Sequence, residues 1–200
     1  MIAIVDYGAG NIHSIKHAFD QFTTECCITR DPNRLLNASK IVVPGQGAFP
    51  QAMNSLKKLN LIDPLLSCIH DSKPFLGICL GFQILFEGSD EHEHTKGLSI
   101  FPGQFQKIPD MTVKVPHMGW NSCKTMANAS MFSGTKSQDY FYFVHSYFLL
   151  KTDPSIISAK TTYSQPFISA VQKDTIWGTQ FHPEKSSHKG LTIIKNFCNL

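Results

Sequence analysis

Short apolar runs alternate with amphipathic stretches through the first half of the chain, and that rhythm predicts its elements. Ile2-Ala3-Ile4-Val5 has the length and character of a buried strand and ends in the turn cluster Asp6-Tyr7-Gly8-Ala9-Gly10-Asn11. Asn11 is a natural cap for a helix whose apolar positions, Ile12, Ile15, Phe19 and Phe22, follow helical spacing. A strand over residues 26–29 precedes Asp31-Pro32, a pair that starts helices. Ile41-Val42-Val43 is the next buried run and ends at Pro44-Gly45; helical stretches over 48–58 and 61–70 then lead to a strand over 74–78. Strand and helix in this alternation predict parallel strands joined by crossover helices.

The second half changes period. Residues 97–115, 140–150, 156–162 and 167–181 are rich in β-branched and aromatic side chains, with Lys173-Asp174 placed like a hairpin turn. A last helix is expected over 190–198. No repeat or linker interrupts the chain, so the expectation is one α/β domain over 1–200. It would have a mostly parallel central sheet flanked by helices and an added antiparallel β region.

Composition narrows the function classes. Hydrophobic residues make up 42% of the 200 and charged ones 16%, which excludes a disordered chain. Lys and Arg exceed Asp and Glu by 18 to 15 and are scattered, so neither nucleic acid nor a membrane surface is an expected partner. The six cysteines form no C-x-x-C pair, which argues against structural zinc, and the N-terminus lacks the basic region of a signal peptide. A cytoplasmic protein with reduced thiols is the expectation.

One pattern carries chemistry. Gly77-Ile78-Cys79-Leu80-Gly81 stands at the end of an apolar strand and the start of a helical run, the cysteine form of a nucleophile elbow. Such a turn lifts the side chain out of the sheet and places backbone N–H groups behind it, favouring a thiolate and then an oxyanion. His182, in His182-Pro183-Glu184 at the end of another apolar run, is the candidate base. Residues two apart in an extended segment face one side, which would let Glu184 orient the ring. Pro44-Gly45-Gln46-Gly47 could turn N–H groups toward an oxyanion, although an ordinary strand-end turn fits as well. The cluster Gly8-Ala9-Gly10-Asn11-Ile12-His13 lacks the third glycine of a dinucleotide fingerprint. The stretch Asp90-Glu91-His92-Glu93-His94 reads as a solvated loop rather than a metal site.

Gly77 to Gln83 together with Gly178-Thr179-Gln180-Phe181-His182-Pro183-Glu184-Lys185-Ser186 resembles the triad-type (class I) glutamine amidotransferases, with the two motifs in that family's order. The segments 6–11, Pro116-His117-Met118-Gly119-Trp120-Asn121 and Phe143-Val144-His145-Ser146-Tyr147 resemble, within that family, the glutaminase subunits of imidazole glycerol phosphate synthase. The resemblance spans effectively the whole chain. It implies that Cys79, His182 and Glu184 hydrolyse L-glutamine to glutamate and ammonia, without metal or cofactor. It assigns the oxyanion donors to Gly47 and Leu80 and the glutamine grip to Gln83, Ser146 and Tyr147. It further implies a (β/α)₈-barrel cyclase subunit that receives the ammonia in a heterodimer, with Asn11, Trp120 and Lys185 facing it; for Trp120 a place in the core is the alternative. Gln46 departs from the small aliphatic residue expected in that loop. A paralogous glutaminase feeding a surface-sugar synthase, and a stand-alone γ-glutamyl hydrolase, remain alternatives at this point.

Overall fold

The computed structural model describes all residues except 93, 110–112 and 128. Part of the acidic stretch 90–94 (Glu93) and part of the β-rich run 97–115 therefore lie outside the described residues. In chain order the elements are β1 (Ile2–Val5), α1 (Ile12–Asp20), β2 (Cys26–Thr29), α2 (Pro32–Leu36), β3 (Lys40–Val43), α3 (Phe49–Lys58), α4 (Ile62–His70), β4 (Phe75–Ile78) and α5 (Leu80–Gln83). The second half holds β5 (Phe86–Ser89), β6 (Thr95–Lys96), β7 (Phe101–Lys107), β8 (His117–Ser122), β9 (Lys124–Thr125), β10 (Tyr140–His145) and β11 (Tyr147–Leu149). It closes with β12 (Ile157–Tyr163), β13 (Gln165–Lys173), β14 (Ile176–Thr179) and α6 (Ser187–Cys198).

The parallel strands β2-β1-β3-β4-β14 form the centre of the main sheet. Their sequences are continuous apolar runs because both faces are covered: β1, β3 and β4 contribute residues to two separate hydrophobic clusters. One cluster lies under α3 and α4 around Leu56, Leu65 and Phe82; the other lies under α1 and α6 around Phe19, Ile194 and Phe197. From β14 the sheet continues antiparallel through β13 and β11 to β7, the expected added region. The hairpin between β13 and β14 turns at Asp174, whose φ is +50°.

Three differences from the sequence pattern concern the site. The helical run after Cys79 is a single turn, α5, before the chain returns to strand at β5, which pairs in parallel with β7. The run 140–150 breaks at Ser146 into β10 and β11, which belong to different sheets. β10 pairs with β8 in a separate two-stranded ribbon. The last helix begins at Ser187, three residues before the expected start.

Candidate active site

Strand order explains how distant motifs meet. β3, β4 and β14 are neighbours, so the segments leaving their C-terminal ends, 44–47, Cys79 and 180–184, emerge side by side. This is where open parallel sheets bind ligands. Cys79 sits between β4 and α5 with φ +54° and ψ −103°, a conformation costly for a residue with a side chain. The flanking glycines are there for space: a Cβ on Gly77 would strike the backbone of Gly81, and one on Gly81 would strike the carbonyl of Val43. The dense packing of the elbow against β3 holds the strained cysteine in place.

His182 is buried, and its Nδ1 lies 2.8 Å from Glu184 Oε1. The pair forms differently from the expected extended segment, because residues Pro183–Lys185 make a turn of 3₁₀ helix. Ser186 Oγ donates to the His182 carbonyl at 2.6 Å and closes that turn. The other ring nitrogen, Nε2, is buried without a hydrogen-bond partner, as is Glu184 Oε2. Burial works against a charge on this ring, but the charge of nearby Cys79, then the hydrogen bond and charge of Glu184, outweigh it and raise the His182 pKa to about 10. The imidazole is thus a strong proton acceptor toward the cysteine.

Gln180, quoted in the motif but given no role by the sequence, is fully buried between two site residues. Its Nε2 donates to Cys79 Sγ at 3.7 Å, and its Oε1 accepts from Gln83 Nε2 at 3.2 Å. Gln83 therefore has its carbonyl oxygen left for the cavity. Cys79 as a thiol donates to the Val144 carbonyl at 3.8 Å.

Cys79 opens into a cavity of about 470 Å³ lined by residues that include Gly47, Leu80, Gln83, Ser146, Tyr147 and Lys185. That volume suits a small polar metabolite. His182 stands behind Cys79 rather than among the lining residues. Gly47 has φ +113°, open to glycine alone without strain. The Leu80 N–H points at the Gly45 carbonyl, at a long 3.5 Å. The loop 44–47 is held from behind by Tyr7, whose hydroxyl donates to the Pro44 carbonyl at 2.6 Å. The turn 8–10, which is no dinucleotide loop, packs Gly10 against Gly45.

Glu91 corrects the reading of 90–94 as a purely solvated loop. Its Oε2 accepts the Phe49 N–H at 2.7 Å, capping α3, which Ala48 has no side chain to cap. Glu91 lines the cavity, as does Lys185. Burial, then the charges of Glu91 and Asp90, raise the Tyr147 pKa.

Of the remaining predicted positions, Lys185 lines the cavity and Trp120 adjoins it through Tyr142. Trp120 is 53% exposed and meets Tyr142 edge-on with ring centroids 6.1 Å apart, so it is no core residue. Met118 and Tyr140 are exposed on the same ribbon. Lys185 Nζ lies 6.0 Å from the Tyr142 ring centre. Asn11 is exposed and its side chain accepts the Ser14 N–H at 3.2 Å, capping α1 as expected. Among the described residues all six cysteines are free, and no helix is long and apolar enough to cross a membrane.

Comparison with known proteins bears on this geometry. Residues 3–199 match the family model described as glutamine amidotransferase class-I. The chain is 46% identical to the imidazole glycerol phosphate synthase subunit HisH of Methanocaldococcus jannaschii, and 43% identical to that of Syntrophotalea carbinolica. Both matches cover 100% of each chain. Among solved structures, a crystal structure of a glutamine amidotransferase superposes with a TM-score of 0.77 at 13% identity, covering 100% of this chain and 98% of the other. The PurLQS structure from Thermotoga maritima also gives 0.77, at 16% identity, covering 99% and 97%.

Proposed function

The chain belongs to the class-I glutamine amidotransferase family, and on that premise we propose that Cys79, His182 and Glu184 hydrolyse the side-chain amide of L-glutamine. The chain acts as a glutaminase in histidine biosynthesis, the role of the imidazole glycerol phosphate synthase subunits it matches end to end. The observation that carries the catalytic assignment is the strained Cys79 beside a buried imidazole whose far nitrogen is held by a buried carboxylate.

His182, as an imidazolium, already holds the Sγ proton of Cys79, and the thiolate sulfur bonds to the amide carbon. The tetrahedral oxyanion is met by backbone N–H groups at Gly47 and Leu80, each donor worth roughly 3–4 kcal/mol in comparable sites. Once the weak Gly45 contact is exchanged, the Leu80 N–H is free for that role. The C–N bond breaks as His182 returns its proton to nitrogen, and ammonia leaves a γ-glutamyl thioester. A water deprotonated by His182 attacks the thioester, releasing glutamate and restoring the thiolate–imidazolium pair. Glu184 supports the imidazolium throughout.

The amino-acid end is recognised by opposite charges on the cavity wall. Glu91 receives the α-ammonium, the backbone of Ser146 and Tyr147 receives the α-carboxylate, and the free carbonyl of Gln83 accepts from the substrate. The ammonia passes to a cyclase subunit seated over the exposed Met118, Trp120 and Tyr140, with Asn11 and Lys185 at its edge.

Glutamine hydrolysis should be followed for the chain alone, with the histidine-pathway cyclase, and with cyclase plus its nucleotide substrate. A low basal rate that rises strongly in the last mixture is expected. A rate that stays flat with a competent, complex-forming cyclase contradicts the reading.

A further inference from the structure

His117 and His145 are buried histidines that the hydrolysis steps leave unused, and they form one hydrogen-bonded pair. They face each other directly in the β8–β10 ladder, with His117 Nδ1 2.9 Å from His145 Nε2. His145 Nδ1 lies 2.8 Å from the carbonyl oxygen of Tyr147, two residues along its own chain. At the other end, His117 Nε2 lies 3.2 Å from Asn121 Nδ2, which is also 3.0 Å from the Thr162 carbonyl. Asn121 Oδ1 accepts the Ser122 N–H at 2.8 Å, which fixes which end of that amide is nitrogen.

Both ends of this chain of contacts are carbonyl oxygens, which only accept, so the protons have one consistent arrangement. His145 carries its proton on Nδ1 and donates it to Tyr147. Its Nε2 must then accept, so His117 donates from Nδ1. His117 Nε2 accepts in turn from Asn121. We propose that this directed pair is a positioning device for the substrate site: it holds the Ser146–Tyr147 backbone in the orientation that receives the α-carboxylate of glutamine, an inference that rests on the glutaminase reading above.

Ser146 is the point where the chain leaves the β8–β10 ribbon and enters the main sheet as β11. Its carbonyl accepts the Ile108 N–H at 2.9 Å, and the His145 ring closes that turn from the side through its contact with the Tyr147 carbonyl. His145, Ser146 and Tyr147 all line the cavity. The His117 ring is itself clamped between Tyr163, at 3.9 Å and 17°, and Phe143, at 4.8 Å and 19°. Burial pushes the His117 pKa down to about 4. Burial, then the charges of His117 and His182, push His145 to about 3 against the opposing bond to Tyr147. A second proton on either ring would set N–H against N–H across their 2.9 Å contact.

The test is His117→Phe, which keeps the ring stack and removes the donor to His145. In the complex with the cyclase, KM for glutamine should rise about tenfold, the worth of one buried hydrogen bond, while kcat stays within about twofold. Alkylation of Cys79 by iodoacetamide, which has no α-carboxylate to be held, should be unchanged. His117→Asn, which returns an amide N–H near the Nδ1 position, should bring KM back to within about threefold of the parent. An unchanged KM in His117→Phe overturns the proposal. So does a joint fall of kcat and alkylation that Asn fails to rescue, since that is the mark of general packing. Absence of glutamine hydrolysis in the unsubstituted complex would instead remove the glutaminase reading, and this inference with it.

Discussion

His182 and His145 are both almost wholly removed from water, at 1% and 5% exposure, and they lie close enough for the charge of one to act on the other. Yet one is built to hold a second proton and the other to refuse it. Burial disfavours the charged form of both rings. His182 overcomes it because its neighbours are the ionisable Cys79 and the carboxylate of Glu184. His145 has a neutral imidazole on one side and a carbonyl on the other. The partner, not the depth, decides what a buried histidine does. Two cationic imidazoles behind one small cavity would repel each other, so a neutral His145 leaves the charged role to His182.

The comparison can be broken most completely at the nucleophile. Cys79→Ala removes the first of the charges that raise His182 and should abolish glutamine hydrolysis in the complex, while the cyclase still uses added ammonium. Retained glutamine turnover would end the assignment. Next is Glu184→Gln, which makes the environment of His182 more like that of His145. It should lower kcat by about 10²- to 10⁴-fold with little change in KM, measured at saturating glutamine.

Glu91→Gln sharpens the contrast by separating binding from proton affinity. KM for glutamine should rise about 10- to 100-fold, the range of a charge-assisted bond, with the alkylation rate of Cys79 kept. The His117→Phe effect, about tenfold on KM, is expected below these.

The smallest and broadest signature is in stability against pH. The raised pKa of His182 contributes stability that is complete below its ordinary 6.5 and lost as pH rises toward about 10. The lowered values of His117 and His145 act at the other end. Stability is intact above 6.5 and lost as pH falls toward about 4 and about 3. Chemical denaturation midpoints should thus decline at both extremes, and His117→Phe should flatten the acid limb alone.

The two regions also differ in how far the sequence discloses them. The elbow is legible because its requirements are local: an apolar strand, a turn, and glycines where β3 and α5 press against the nucleophile. The pairing of His182 with Glu184 is legible as a spacing, although a 3₁₀ turn rather than an extended segment brings them together. The fold class follows from the alternation of short apolar runs, while the one-turn α5 and the departure of β10 into its own ribbon do not. Those depend on which strands pair, a tertiary matter. Glu91 is hidden in an acidic loop, because its place depends on the uncapped start of α3 more than forty residues upstream. Gln180 and the His117–His145 pair are hidden for the same reason. Neighbouring strands and cross-strand register create their contacts, and no local pattern marks them.

The most direct measurement is the side-chain ¹⁵N spectrum of the histidine-labelled chain, followed from about pH 6 to 9 across the ordinary histidine range. His182 should be protonated on both ring nitrogens through most of that range. His145 and His117 should each carry a single proton, on Nδ1, at every point. A neutral His182 at pH 7 (assigned through its loss in His182→Asn), or a doubly protonated His145, would contradict the account that opposite partners set opposite charges in one site.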